Sequence, residues 1–160
     1  MPDWISHMLI ALIIYEVFRF EKKSLVILGA LLPDMLGKLS LLVNVFELPY
    51  DVLYWIFTPF HTPLGCVLIT FLIVHFFRYN QRKAFLYITA GWVSHLLFDL
   101  VNKHMLLGQN MLLFPVSWTN FRIGFAWPER FYLSLVPLII VYLIILSVKR
   151  KKNQNVYKTR

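Results

Sequence analysis

The sequence predicts an all-α fold, a polytopic transmembrane bundle of about five helical segments. Two observations lead there. Hydrophobic residues make up 59% of the 160-residue chain and charged ones only 15%. The apolar residues also gather in five runs, near 4–18, 24–46, 52–77, 84–107 and 131–148, with short charged or polar connections between them. That apolar share, with a mean hydropathy of +0.64, exceeds what a soluble globular domain carries. Residues 1–148 are therefore expected to form one membrane-embedded domain, and residues 149–160 a basic, disordered cytoplasmic tail.

A spanning helix needs about 20 residues. The first run falls short of that, so it must tilt, thin the bilayer or pack within the bundle. It follows no basic n-region and precedes no small-residue cleavage site, so it is expected to be retained and not removed as a signal peptide. In the second run Pro33 precedes Asp34, and because proline cannot continue the hydrogen-bond ladder, a helix break is expected at Asp34. The third run is interrupted where Pro59 and Pro63 bracket His61; Thr62 as N-cap and Pro63 at the first helical position would start a new helix there. The fourth run carries His95 and Asp99, and the fifth leads into the tail.

Lys and Arg outnumber Asp and Glu by 16 to 8, a balance that in another protein would suggest nucleic acid. Here twelve of the sixteen fall in three clusters: Arg19, Lys22 and Lys23; Arg78, Arg82 and Lys83; and Lys149, Arg150, Lys151, Lys152, Lys158 and Arg160. With five spans all three lie on one side, which the positive-inside rule makes cytoplasmic. The expectation is a multi-pass cell-membrane protein with a cytoplasmic C-terminus, membrane lipids as partners and no nucleic acid. The basic tail reads as a topology determinant more than a binding site. Cys66 reads as a small buried hydrophobe. The aromatic residues, among them Trp4, Trp55, Trp92, Trp118 and Trp127, read mostly as interfacial belts. His75 and His104 read as solvated or capping groups, and Glu16 as snorkelling or pairing with Arg19.

Ionisable groups are expensive in hydrocarbon and mark functional sites, which singles out His7, Asp34, His61, His95 and Asp99. His95 and Asp99 are four apart, so on a helix both side chains lie on one face, one turn apart. At about 1.5 Å rise per residue, the five-span topology places all five residues between mid-bilayer and the outer interface. Imidazole nitrogen and carboxylate oxygen suit zinc and, with more oxygen, manganese or iron. One or two divalent ions are expected, zinc first. Two metals sharing a carboxylate suit phosphoester hydrolysis, and Asp99 is the natural bridge.

These residues stand in motifs that resemble a known family. Met1-Pro2-Asp3-Trp4-Ile5-Ser6-His7, Leu28-Gly29-Ala30-Leu31-Leu32-Pro33-Asp34, Phe60-His61-Thr62-Pro63-Leu64-Gly65, His95-Leu96-Leu97-Phe98-Asp99 and Leu112-Leu113-Phe114-Pro115-Val116-Ser117-Trp118 resemble, in that order and over roughly residues 1–118, the YdjM-like membrane-bound metal-dependent hydrolases. That family is similar to the all-helical zinc phospholipase C and single-strand nuclease group, which hydrolyses phosphodiesters. The resemblance implies one metal site from Asp34, His61, His95 and Asp99, and a second from His7 with a shared Asp99. The soluble relatives complete a further site with a second His-x-x-x-Glu or Asp pair that this chain lacks after Asp99, so a three-metal centre is not expected.

The expected function is thus a membrane-bound metal-dependent hydrolase acting on a phosphoester or phosphodiester of a lipid or lipid-linked substrate. Asp99 and Asp34 are its candidate catalytic carboxylates, an unligated oxygen serving as proton acceptor. A metal- or proton-coupled transporter or channel would use the same His/Asp cluster and broken helices. A scaffold stapled by metal is a third reading.

Overall fold

The computed structural model describes residues 4–43, 58–101, 111–119, 121, 123–124 and 131–158. Their regular structure is helical throughout. The α-helices are α1 (Trp4–Phe18), α2 (Lys23–Val43), α3 (Pro63–Ile73), α4 (Gln81–Val101) and α5 (Phe131–Lys158). Short 3-10 turns at Thr58–His61 and Val74–Phe76 flank α3. His104, Glu47, Asp51, Trp55, Trp127 and Glu129 lie outside the described residues.

Helix α1 stops because Arg19 turns into the left-handed region at φ 54°. The Phe20 amide then reaches back to the Tyr15 carbonyl at 3.3 Å, which satisfies one of the orphan acceptors of the last turn. Helix α4 starts where the Asn80 side chain accepts from the Lys83 amide at 3.0 Å, an N-cap interaction. It is the central helix, packing against α1, α2 and α3.

Among the described residues, α2 and α4 make the most extensive helix–helix contact. A Cβ on Gly29 would strike the Ile88 carbonyl, and one on Gly91 would strike the Val26 carbonyl. Glycine at both positions lets the two backbones touch, as small residues do where helices associate in membranes. Val26, Ala30, Ile88 and Trp92 are fully buried around this crossing.

Three expectations need correction. Helix α2 runs unbroken through Pro33: the proline is completely buried, and packed neighbours can tolerate a helix that has lost one ladder bond. The basic segment after Val148 continues α5 as helix to Lys158 in place of a disordered tail; Lys, Arg and Gln are good helix formers, and neither glycine nor proline interrupts them. Trp92 is a core residue, not part of an interfacial belt.

The connections that lead into α2 and α4 gather at one end. Glu21 takes a hydrogen bond from the Tyr79 hydroxyl at 2.7 Å and pairs with Lys83. The Lys83 ammonium first, then the Tyr79 hydroxyl, holds the Glu21 carboxyl below the usual carboxylate range. Lys149 of α5 joins the same end by pairing with Glu16 at 2.5 Å. Glu16 therefore meets Lys149 and not Arg19, whose left-handed backbone takes it off the α1 face. All three basic clusters thus begin at the same end of the molecule.

Buried ionisable groups stand beside widely exposed apolar ones. His7, Asp34, His61, His95 and Asp99 are buried, while Phe71, Leu72, Leu97, Leu143 and Ile144 are each more than half exposed. Among the described residues two helices, Gln81–Val101 and the Leu133–Lys151 part of α5, are long and apolar enough to cross a membrane. In the second of these, no residue of its most apolar 18-residue stretch is buried inside the protein.

Candidate metal centre

Four separate pieces of chain deliver the ligand-type residues. His7 sits on the second turn of α1, Asp34 on α2, His61 at the end of the Thr58–His61 turn, and His95 and Asp99 one turn apart on α4. The local sequence dictates the His61 placement. Thr62 is extended at φ −123°, ψ 153°, its hydroxyl accepts from the Gly65 amide at 3.0 Å and donates to the Pro59 carbonyl at 2.8 Å, and Pro63 opens α3. The expected helix start is therefore present. Thr62→Ala removes both bonds and should lower stability by about 1 kcal/mol. A thermal melt should show that loss, together with weaker metal binding as His61 loosens.

The five side chains converge. Asp99 turns its two oxygens to different imidazoles, Oδ1 lying 3.4 Å from His7 Nε2 and Oδ2 3.1 Å from His95 Nε2. Asp34 Oδ1 lies 3.8 Å from His61 Nε2 and 3.9 Å from His95 Nε2. The His7 ring stacks on His95 with centroids 3.9 Å apart, and His61 tilts toward it at 5.7 Å. Two trios result, His7–His95–Asp99 and Asp34–His61–His95, with the candidate ligand atoms of each within 4.8 Å of one another.

His95 is the best-defined member. Its Nδ1 lies 2.8 Å from the Ala30 carbonyl oxygen, and since a carbonyl can only accept, that nitrogen carries the proton. In the neutral ring Nε2 then presents a lone pair toward two carboxylates. It is fully buried and makes no hydrogen bond, although Asp99 Oδ2 is 3.1 Å away. Lone pairs facing one another in a buried site repel unless a cation lies between them. A backbone carbonyl on the far nitrogen is also what orients metal-binding histidines.

The spacing fits the same reading. Ligands about 2.0 Å from a tetrahedral zinc are about 3.3 Å apart, and the four nitrogen–oxygen separations run from 3.1 to 3.9 Å. The buried His/Asp groups can therefore hold a metal ion. An imidazole nitrogen has one lone pair and would serve one ion, whereas Asp99 offers a separate oxygen toward each of two imidazoles. Residue type marks all five side chains but not Ala30, because a backbone acceptor leaves no trace in it; the small residues Gly29, Ala30 and Gly91 are the available sign of a close helix approach.

The remaining candidates stand apart. His75 is exposed, with Nδ1 2.8 Å from the Phe71 carbonyl. The 112–118 motif forms a turn that supplies no ligand among these groups, and the nearby Ile123 amide donates to the Leu100 carbonyl at 2.8 Å, at the end of α4. Cys66 is buried on α3, as expected of a small hydrophobe. No family model, curated protein or solved structure matches the chain.

Proposed function

We propose that this chain is a polytopic membrane-bound metal-dependent hydrolase of the YdjM-like kind, acting on a phosphoester or phosphodiester of a lipid or lipid-linked substrate. The observation that carries the reading is the buried His95 Nε2, aimed without a hydrogen bond at Asp99 and Asp34 while His7 and His61 close in from either side. The donor set of three imidazoles and two carboxylates suits zinc. His7, Asp34, His61, His95 and Asp99 would hold one or two such ions, which when bound supply Lewis-acid activation of water and charge neutralisation at phosphorus. The chain's own part is to fix these ligands, to keep bulk water out and to offer a carboxylate oxygen of Asp34 or Asp99 as proton acceptor.

Burial of the polar groups under an apolar surface supports a substrate that arrives from the bilayer. Trp4, Met8, Met35, Leu64 and Leu97, all neighbours of the ligands in sequence, are exposed. On this reading the gathered basic clusters lie on the cytoplasmic side. The transporter alternative loses one of its supports, because α2 is continuous at Asp34 where a discontinuous helix would form an ion site.

The test is turnover in proteoliposomes loaded with zinc and supplied with phospholipid substrates. Release of a phosphorylated head group or of inorganic phosphate, stopped by a chelator and restored by zinc, is expected. Metal-dependent ion flux with no hydrolysis would instead establish the transporter.

A further inference from the structure

Helix α5 packs against α1, and its opposite face carries a shallow groove of about 300 Å³ lined by Ile140, Leu143, Ile144, Ser147, Val148 and Lys151. The groove is apolar for most of its length and ends at one cation. That end belongs to the basic end of the molecule, because Lys149, two residues before Lys151, is tied to Glu16 beside the Arg19 turn. Glu16 is paired with Lys149 and Glu21 with Lys83, so the described carboxylates of this end are already engaged. The Ser147 hydroxyl donates to the Leu143 carbonyl at 2.8 Å, leaving Lys151 as the donor that the groove itself offers.

From this arrangement we infer that the outer face of α5 is a binding site for a single anionic phospholipid of the leaflet at the basic end, its acyl chain along Ile140–Val148 and its phosphate at Lys151. This rests on the membrane reading proposed above. Charge chooses the occupant. A second copy of the chain docked in parallel on this face would set Lys151 against its own equivalent, and like charges at close range repel. An antiparallel copy would sink the cluster into hydrocarbon, where cations are costly. An anionic lipid complements both the apolar stripe and the cation.

The experiment is native mass spectrometry of the full chain released from detergent, titrated with phosphatidylglycerol or phosphatidylcholine. Wild type should retain one phosphatidylglycerol with about five-fold preference over phosphatidylcholine, the difference that one cation makes near an anionic lipid. Lys151→Glu should abolish the preference and Lys151→Arg should keep it, while Ile144→Trp, which fills the groove, should lose the bound lipid. All three changes lie on the exposed face, so folding is preserved. Equal retention of the two lipids, an unaltered preference in Lys151→Glu, or a dimer mass that Ile144→Trp dissociates would overturn the assignment. Carbonate extraction of the source membranes decides the membrane reading separately: release of the chain would sink that reading itself.

Discussion

Asp99→Ala should lose phosphoester turnover on the order of 10³-fold or more while leaving the helices in place. Among the described carboxylates, Asp99 is the one whose two oxygens face different imidazoles, His7 at 3.4 Å and His95 at 3.1 Å. Its removal takes a carboxylate oxygen away from both imidazoles, so any ion held there would lose a ligand. Metal activation and charge neutralisation are worth several kcal/mol at the transition state, and each 1.36 kcal/mol is a factor of ten in rate. The fold should survive because α4 is held by contacts away from residue 99: the glycine crossing with α2, and Ile88 and Trp92 in the core. Circular dichroism and melting in detergent report the fold, and head-group release reports activity. Turnover within a few-fold of wild type would take Asp99 out of the mechanism.

The largest effect on stability should come from Gly91→Leu. Any Cβ there meets the Val26 carbonyl, and that obstacle is backbone, which cannot rotate away as a side chain end could. Overpacking a filled interior costs about 1–3 kcal/mol and sometimes more, and the upper end applies here because two helices must separate. A loss near 3 kcal/mol corresponds to a drop of roughly 6–12 °C in melting temperature for a chain of this size. The same separation would draw the Ala30 carbonyl away from His95 Nδ1, 2.8 Å apart at present, so metal affinity should fall with stability. Val93→Leu, two residues on but on the exposed side of α4, should change the melt by less than about 0.5 kcal/mol. Equal melts for the two variants would show that α2 and α4 are not in backbone contact.

Much of the site is legible in the residues themselves. The four-residue spacing of His95 and Asp99 needs only helical periodicity to become a shared face, and the Thr62–Pro63 pair announces its helix start because cap chemistry is local. The expected convergence of His7, Asp34 and His61 on that face rests on counting residues along five alternating spans. What the residues do not reveal depends on tertiary contact. Pro33 reads as a break because proline lacks the ladder donor, but packing around a fully buried ring outweighs that local preference. Glu16 reads as a partner of Arg19, three residues on, yet the left-handed turn at Arg19 frees it to meet Lys149 from a helix more than a hundred residues away. The Ala30 carbonyl, which sets the proton on His95, belongs to the backbone and becomes visible only once Gly29 and Gly91 bring α2 and α4 together.

The metal centre is tested most directly by metal content, measured by mass spectrometry on detergent-purified wild type and on the His95→Ala/Asp99→Ala double variant. Wild type should carry one or two divalent ions per chain, zinc foremost, and the variant none. A wild-type protein that stays metal-free after zinc supplementation and gentle purification would contradict the metal centre.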